Sequence, residues 1–517
     1  MSYDSHEIIG GFAGLLLVTG VMILLPTIPA LVYAEYNTLP FFLVPGVLAA
    51  GFGIVLMSKY PLADELPIKT TIIIACAGWL LVSVIGMIPY FSIHMGALDA
   101  FFESISGFTT TGMSLIENLE ILPRSILFWR SLTQWVGGVG IILLFTILLK
   151  GGMSTWRLYT LEGREKFTPS VKASVKNILL IYSLLTTTCA LTLYICGLGA
   201  FDAINHAMTT LATGGFSTKS ASVAEFGVNI KLTISFFMVL GATSFVLFYN
   251  LGKLDVRKIL EDAEFKTMIF LLILGGLLVS GFLILNGMGV LEGITEGFFN
   301  VVSILTTTGY TSANLDGWPA ITKAVLLFLM FVGGSAGSTA GGIKVWRFVV
   351  LFRIVRREIE KLVLPPSAII PVKIGGRILD DEYIIKISAF MFSYVLFAFV
   401  AFVLLSFSVP DLFGALSLVV SALSNVGPAF YPVTQLDFFS KIVLVVAMWA
   451  GRLELLPVIA FIGKEVPSIV REYYLKRSES KKKDRSETSH SANKLGILAF
   501  GEEFAPDPSS AGLETHS

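Results

Sequence analysis

The sequence predicts an all-α membrane protein made of four tandem repeats, each a long apolar helix, a short helix, a glycine turn and a second long helix, preceded by two extra transmembrane helices. Three observations predict this. Only 14% of the 517 residues are charged and 54% are hydrophobic, with a mean hydropathy of +0.79, where a soluble chain is about a quarter charged. The apolar residues arrive in runs of about twenty, the length that crosses roughly 30 Å of hydrocarbon as helix. One pattern of long run, short segment and glycine turn is written four times along the chain.

Formal net charge is zero, with 37 basic and 37 acidic residues, so global charge draws neither nucleic acid nor an acidic substrate, and no nucleic-acid partner is expected. Cys76, Cys189 and Cys196 all lie in apolar runs and read as small packing residues, not as a disulfide framework or a thiolate metal site. The first ten residues carry Asp4, His6 and Glu7 in place of a basic stretch, and no small-residue cleavage site follows, so no cleaved signal peptide is expected. Residues 1–66 hold the extra pair, with runs at about 8–33 and 39–58 parted near Glu35 and Asn37. Pro26 and Pro29 punctuate the first run, as membrane helices tolerate.

The repeats occupy 67–165, 166–262, 263–365 and 366–475. Their first long runs lie at about 70–91, 175–198, 267–289 and 384–408, and their second at about 126–150, 230–251, 321–350 and 437–463. The short segments between end in Thr109-Thr110-Thr111-Gly112-Met113, Ala212-Thr213-Gly214-Gly215-Phe216, Thr306-Thr307-Thr308-Gly309-Tyr310 and Ser424-Asn425-Val426-Gly427-Pro428. Stacked on Gly112, Gly214, Gly309 and Gly427, Phe101-Phe102 falls on Phe298-Phe299, Ser106 on Ser303 and Ser421, and Asn205 on Asn300. About a dozen residues of helix reach only ~18 Å, too short to cross a bilayer. Each short segment therefore enters and returns on one side, which needs shelter from protein or a water-filled cavity. Four of them can shelter one another around a common axis.

Basic residues set the orientation. Lys150, Arg157, Arg164, Lys166, Lys172 and Lys176 follow the long runs of the first repeat, Lys253, Arg257, Lys258 and Lys266 those of the second, and Arg347, Arg353, Arg356, Arg357, Lys361, Lys373 and Arg377 those of the third. These loops are expected to be cytoplasmic, with the short segments opening outward and both termini inside. Residues 476–517 turn to Ser, Lys, Glu, Asp and His without apolar period, which predicts a disordered cytoplasmic tail whose last stretch reads as a possible expression scar.

A potassium ion is large and weakly hydrated, so a ring of backbone carbonyls can replace its water, and glycine lets the backbone aim them inward. Thr or Val before glycine is the core of the Thr-Val-Gly-Tyr-Gly filter. Here the ion-binding candidates are Thr110, Thr111 and Gly112; Ala212, Thr213 and Gly214; Thr307, Thr308 and Gly309; and Asn425, Val426 and Gly427. Potassium is expected on the carbonyls of Thr111, Thr213, Thr308 and Val426. The threonines also read as helix-end caps.

With these four turns in order, the chain resembles the Trk/Ktr/HKT superfamily of potassium transporters over about residues 8–475. It is most like the TrkH-type membrane subunit, which the first helical pair separates from shorter KtrB-like chains. The resemblance implies helix–pore helix–filter–helix repeats in pseudo-fourfold symmetry, K+ as the transported ion, no organic cofactor and a homodimer in the cytoplasmic (inner) membrane. It also implies a separate cytoplasmic nucleotide-binding regulator of the TrkA type as gate controller. In plant relatives a serine at the first filter position goes with sodium preference; Gly112 favours potassium.

A second signal lies inside the third repeat, where Gly333, Gly334, Gly337, Gly341 and Gly342 precede Lys344. Each Gly costs a helix about 1 kcal/mol relative to Ala, so the inner helix is expected to break here, within the membrane and against a cavity. A small-residue helix seam is the alternative, and the phosphate-loop frame is absent. The resemblance implies an intramembrane loop that obstructs the pore. Arg452 lies inside the last apolar run, where a charge costs about 2.5–3.5 kcal/mol. It is read as facing the permeation path near this loop, on a different face from Glu454; snorkelling to the cytoplasmic side is the alternative.

Asp99, Glu103, Asp202, Glu296 and Asp411 sit near the starts of the short helices and read as N-terminal caps, or together as a cation-attracting mouth. His94 and His206 are isolated. Three functions compete with conduction: a potassium symporter coupled to protons or sodium, a sodium-permeable relative, and a membrane enzyme, for which no catalytic motif is found.

Overall fold

The computed structural model describes residues 5–61, 66–148, 171–251, 261–365, 370–375, 377–465 and 467. The chain divides into Met1–Val458 and Ile459–Ser517. The second part is described only near its start, where Phe461–Glu465 form a π-helical turn, so the expected tail lies outside the described residues.

The extra pair consists of Ser5–Leu24, a kinked continuation Thr27–Val32 after Pro26, and Leu39–Lys59. Small residues set their separation: a Cβ on Gly53 would lie 2.6 Å from the Leu17 nitrogen, so the two backbones meet where no side chain intervenes. The turn between them reaches the first repeat. Glu35 takes the N–H groups of Arg124 (2.6 Å) and Ser125 (2.9 Å), the open donors at the start of that repeat's second helix.

In the first repeat the long helix Ile68–Gly86, the short helix Ala97–Phe108 and the second helix Arg124–Leu148 follow in order. The second has Val171–Ile195, Ala200–Leu211 and a second helix split into Val228–Gly241 and Phe245–Leu251. The third has Ala263–Leu285, Val290–Leu305 and another split pair, Ala320–Val332 and Val345–Val363. The fourth has Asp381–Leu405, Leu412–Leu423 and Phe438–Arg452. Among the described residues, strand is confined to a two-residue antiparallel ladder, Lys373–Ile374 with Arg377–Ile378.

Six described helices are long and apolar enough to cross a membrane. Their outer faces carry exposed apolar side chains such as Leu184, Phe270, Leu277, Phe392 and Phe399, as expected where lipid replaces water. The short helices are buried instead. From Phe102 to Phe108 every residue of the first is buried, and so is every residue of the fourth from Ser417 to Leu423.

Two helix ends depart from expectation. The second apolar run of repeat two spans about 230–251, yet its helix stops at Gly241. The glycine loop of repeat three docks there, with Ser335 and Thr339 donating their N–H groups to the carbonyls of Ala242 (3.0 Å) and Gly241 (3.3 Å). The last apolar run spans about 437–463, but its helix ends at Arg452 and the chain turns through Glu454 and Leu455, at φ 60° and 44°.

Candidate functional site

The four short helices end alike. Thr110, Thr213, Thr307 and Asn425 take left-handed φ values of 52°, 51°, 55° and 54°. Each N–H reaches back three residues, and the next N–H, that of Thr111, Gly214, Thr308 or Val426, reaches back five, at 2.9 Å in all four turns. This paired closure is how a helix satisfies its last carbonyls while leaving through a left-handed residue. Two residues after the left-handed position comes a positive-φ glycine: Gly112 (82°), Gly215 (76°), Gly309 (82°) and Gly427 (110°).

That register corrects the stacking of the second turn by one residue. Gly215, not Gly214, corresponds to Gly112, Gly309 and Gly427, and Gly214 corresponds to Thr111, Thr308 and Val426. The expected pairing of Asn205 with Asn300 falls with it: His206 takes that position, nine residues before the glycine, where repeat one has Glu103 and repeat four Leu418. The residue of repeat two whose carbonyl matches that of Thr111 is likewise Gly214, where Thr213 was expected.

The turns close on one another in a cycle. A Cβ on Gly112 would fall on the carbonyl oxygen of Gly214, one on Gly215 on that of Thr308, one on Gly309 on that of Val426, and one on Gly427 on that of Thr111, all inside 3.0 Å. Each glycine makes room for its neighbour's carbonyl, so four loops surround one axis in chain order.

Side-chain hydrogen bonds brace two of the four carbonyl-bearing residues, Thr111 and Thr308. Thr111 Oγ1 lies 2.8 Å from Thr109 Oγ1, and Thr308 Oγ1 lies 2.8 Å from Thr306 Oγ1. Asn425, beside Val426, donates through Nδ2 to Thr111 Oγ1 (2.9 Å) and to the Met448 carbonyl (3.0 Å). Gly214 has no side chain and is held from outside. Gln134, on the second helix of repeat one, donates Nε2 to the Gly214 carbonyl (2.6 Å) and accepts the Phe216 N–H (3.0 Å). One helical turn earlier, Arg130 donates to the Ser217 carbonyl (3.1 Å) and Ser114 Oγ (3.0 Å), lies over the Phe216 ring at 4.0 Å, and faces Glu103 at 3.6 Å.

The acidic residues mostly hold neighbours, which corrects the capping expectation. Of Asp99, Glu103, Asp202, Glu296 and Asp411, only Asp411 caps its helix, accepting the Phe413 N–H. Asp99 pairs with Lys441 at 2.7 Å and Glu296 with Lys231 at 2.9 Å, each joining two repeats. Asp202 accepts a hydrogen bond from Thr218, and Glu103 from Ser114 and the Leu115 N–H.

Beneath the turns, the third repeat leaves helix between Val332 and Val345, as its glycine density predicts. Gly333, Gly337 and Gly342 adopt φ of 73°, 68° and 76°. Thr339 Oγ1 lies 2.9 Å from both the Leu211 and the Gly241 carbonyl oxygens, and Gly341 donates its N–H to Thr307 Oγ1 (2.7 Å). The space where Gly341 would carry a Cβ is filled by the Ser424 carbonyl, and Gly334 packs against Ala340 and Ala242. The loop is thus pressed against the turns of repeats two, three and four. Glu264, buried on the first helix of repeat three, accepts the N–H groups of Ala336 (2.6 Å) and Trp346 (3.2 Å).

Arg452 completes the floor. It is 3% exposed and donates to the carbonyls of Thr339 (2.9 Å) and Gly137 (2.8 Å), joining the loop to repeat one. Glu454 lies past the end of that helix, in the left-handed turn, and pairs with Arg347, so the turn and not two faces of one helix parts the two charges. Lys344 Nζ donates to the Ala340 carbonyl. A small cavity lies here, lined by Gly341, Gly342, Lys344, Asn425 and Arg452 among others. Sequence reasoning passed over Arg130, Gln134 and Glu264. A polar pair at i and i+4 within an apolar run was the available signal for the first two.

Comparison with known proteins gives a consistent picture. The TrkH family model, described as cation transport protein, matches residues 46–472. The uncharacterized cation transporter of Methanocaldococcus jannaschii is 36% identical over 466 residues, covering 88% of this chain and 95% of that one. The Trk system potassium uptake protein TrkH of Escherichia coli strain K12 is 35% identical over 410 residues, covering 75% and 84%. The crystal structure of the potassium transporter TrkH from Vibrio parahaemolyticus superposes with a TM-score of 0.82 at 31% identity, over 89% of this chain and 98% of that one.

Proposed function

From the premise that the chain belongs to the TrkH family of cation transport proteins, we propose that it takes up potassium across the cytoplasmic membrane through the ring of four glycine turns. The family is one of transporters and not of enzymes. The observation that carries the reading is the closed cycle in which each turn's glycine lies against the next turn's carbonyl. Such a ring replaces an ion's water shell with fixed oxygens. Thr110 Oγ1, buried without a hydrogen-bond partner, adds a further oxygen at the base of the first turn.

In this reading the repeats at 67–165, 166–262, 263–365 and 366–475 form one pore, with both chain termini on the cytoplasmic side. The carbonyls of Thr111, Gly214, Thr308 and Val426, with the turn residues around them, strip the ion of water. The loop at Gly333–Gly342, pinned by Arg452 and Lys344, is the gate. A homodimer and a cytoplasmic nucleotide-binding regulator of the TrkA type belong to the same proposal. Purified protein in liposomes tests it: potassium flux should exceed sodium flux, and reversal should follow the potassium gradient alone. Equal flux of the two ions, or reversal that follows protons or sodium, would overturn it.

A further inference from the structure

The four second helices align on Gly137, Gly241, Gly333 and Gly451, each thirteen positions after the first residue of its helix, Gly333 being the residue that ends its own. At the position three residues before, repeat one has Gln134 and the others have Met238, Met330 and Met448. At the position seven before, repeat one has Arg130 and the others have Ile234, Leu326 and Leu444. All eight side chains are buried. Three repeats therefore pack apolar side chains behind the ring, and one packs an amide and a guanidinium that costs several kcal/mol to desolvate.

This asymmetry coincides with another. The turn beside Gln134 and Arg130 is the one whose carbonyl-bearing residue, Gly214, has no side chain. Its φ lies outside the left-handed region, so glycine is not required there by backbone conformation. A Cβ at Gly214 would fall on the amide of Gln134. The Gln134 side chain occupies the space that a threonine fills in repeats one and three.

We propose that Gln134, with Arg130 behind it, is the specificity-determining positioning residue of the second turn, doing from the neighbouring helix what Thr111 and Thr308 do from within their own turns. Gln134 fixes the Gly214 carbonyl and the Phe216 N–H. Arg130 fixes the Ser217 carbonyl and is linked to Glu103 by charge and through the Ser114 hydroxyl, so both ends of the second turn hang on one face of one helix. The inference rests on the reading of the ring as an ion filter. A carbonyl free to move inward accommodates a smaller ion, so loss of the brace favours sodium.

The test is a double-mutant cycle on the full chain in liposomes, reading the ratio of potassium to sodium flux together with the thermal unfolding midpoint. Gln134→Ala removes the brace and Gly214→Thr crowds it. Each alone should lower the flux ratio about tenfold, the equivalent of one buried hydrogen bond. The double variant, with threonine filling the vacated space, should recover most of that loss. Gln134→Met copies the other three repeats while keeping the packing, and should lower the ratio with little change in the midpoint. Unchanged ratios in Gln134→Ala and Gln134→Met, or a double variant no better than the worse single one, would overturn the inference while leaving the filter intact. An unmodified protein that does not distinguish the two ions would overturn the filter reading itself.

Discussion

At the level of the glycine turns the four repeats share one backbone, down to φ values within a few degrees at the left-handed residue. Just below, they present four different ones. The second helix runs unbroken to Leu148 in repeat one, is interrupted between Gly241 and Phe245 in repeat two, gives way to the glycine loop in repeat three, and ends at Arg452 in repeat four. The upper ring is built of backbone against backbone, where any departure overlaps a neighbouring carbonyl. The floor is built of side-chain anchors, and anchors can differ. In the proposed reading, the symmetric layer decides which ion passes and the asymmetric layer decides when.

The largest expected effect breaks the ring. Gly309→Ala places a methyl group on the Val426 carbonyl at a φ of 82°, and potassium uptake should fall about a hundredfold, from overpacking in a site that cannot relax. Gly112→Ser should lower potassium-over-sodium selectivity for the same steric reason. The control is Gly287→Ala. Its φ is 94° but open space surrounds it, so it should cost about 1 kcal/mol of stability and leave uptake intact. If both alanines abolish uptake alike, conformation rather than carbonyl crowding explains the glycines.

The next effect acts on the floor. Arg452→Gln removes donors to the Thr339 and Gly137 carbonyls, each a charge-assisted bond worth about 1.5–3 kcal/mol. Flux should rise on the order of tenfold with the ion ratio unchanged, read by isotope uptake into liposomes. A changed ratio would show that the two layers are not separable.

A smaller effect sharpens the comparison between repeats. Lys231, Lys323 and Lys441 stand at the same place, three residues into their helices. Lys231→Met leaves the mostly buried Glu296 with the Ser312 hydroxyl but no cation, and should cost about 3 kcal/mol in unfolding experiments. Lys323, held by the Asp316 carbonyl with the Phe430 ring 5.7 Å away, should cost under about 1 kcal/mol on the same substitution.

The smallest effect lies on the loops that follow the glycine turns of the first and second repeats. Glu120 accepts hydrogen bonds from the Ser220 hydroxyl and N–H, which hold its carboxyl below the ordinary value of 4.5. A carboxyl depressed on folding contributes stability above its unfolded pKa, lost as pH falls through the folded one. The link between the first and second loops should therefore loosen as pH falls from about 4.5 downward. Glu120→Gln should remove that dependence of the melting midpoint, by only a few tenths of a kcal/mol at an exposed site.

Much of this was legible in the residues. Long apolar runs gave the spanning helices, and the four turns gave the ends of the short helices, because a helix closes its last carbonyls with residues three and five apart in the chain. The density of glycine from Gly333 to Gly342 gave the break in repeat three, since each glycine weakens a helix by itself. The break in repeat two was not legible. Gly241-Ala242-Thr243-Ser244 is unremarkable for a membrane helix, and it parts because a loop almost a hundred residues later takes its carbonyls. The register of the second turn was ambiguous for a simpler reason: Gly214-Gly215 offers two glycines, and only the φ angles choose between them.

The chain by itself determined that it crosses a membrane, that it contains four helix ends of one kind, and that a glycine follows each. These are matters of transfer free energy and of closures between near neighbours, which any isolated stretch carries with it. The tertiary structure alone decided which carbonyl each glycine admits, why Gln134 and Arg130 stand behind one turn only, and that Arg452 reaches Thr339 and Gly137. Those contacts join residues from about eighty to more than three hundred positions apart, and no local preference encodes a partner that the chain brings near only by folding.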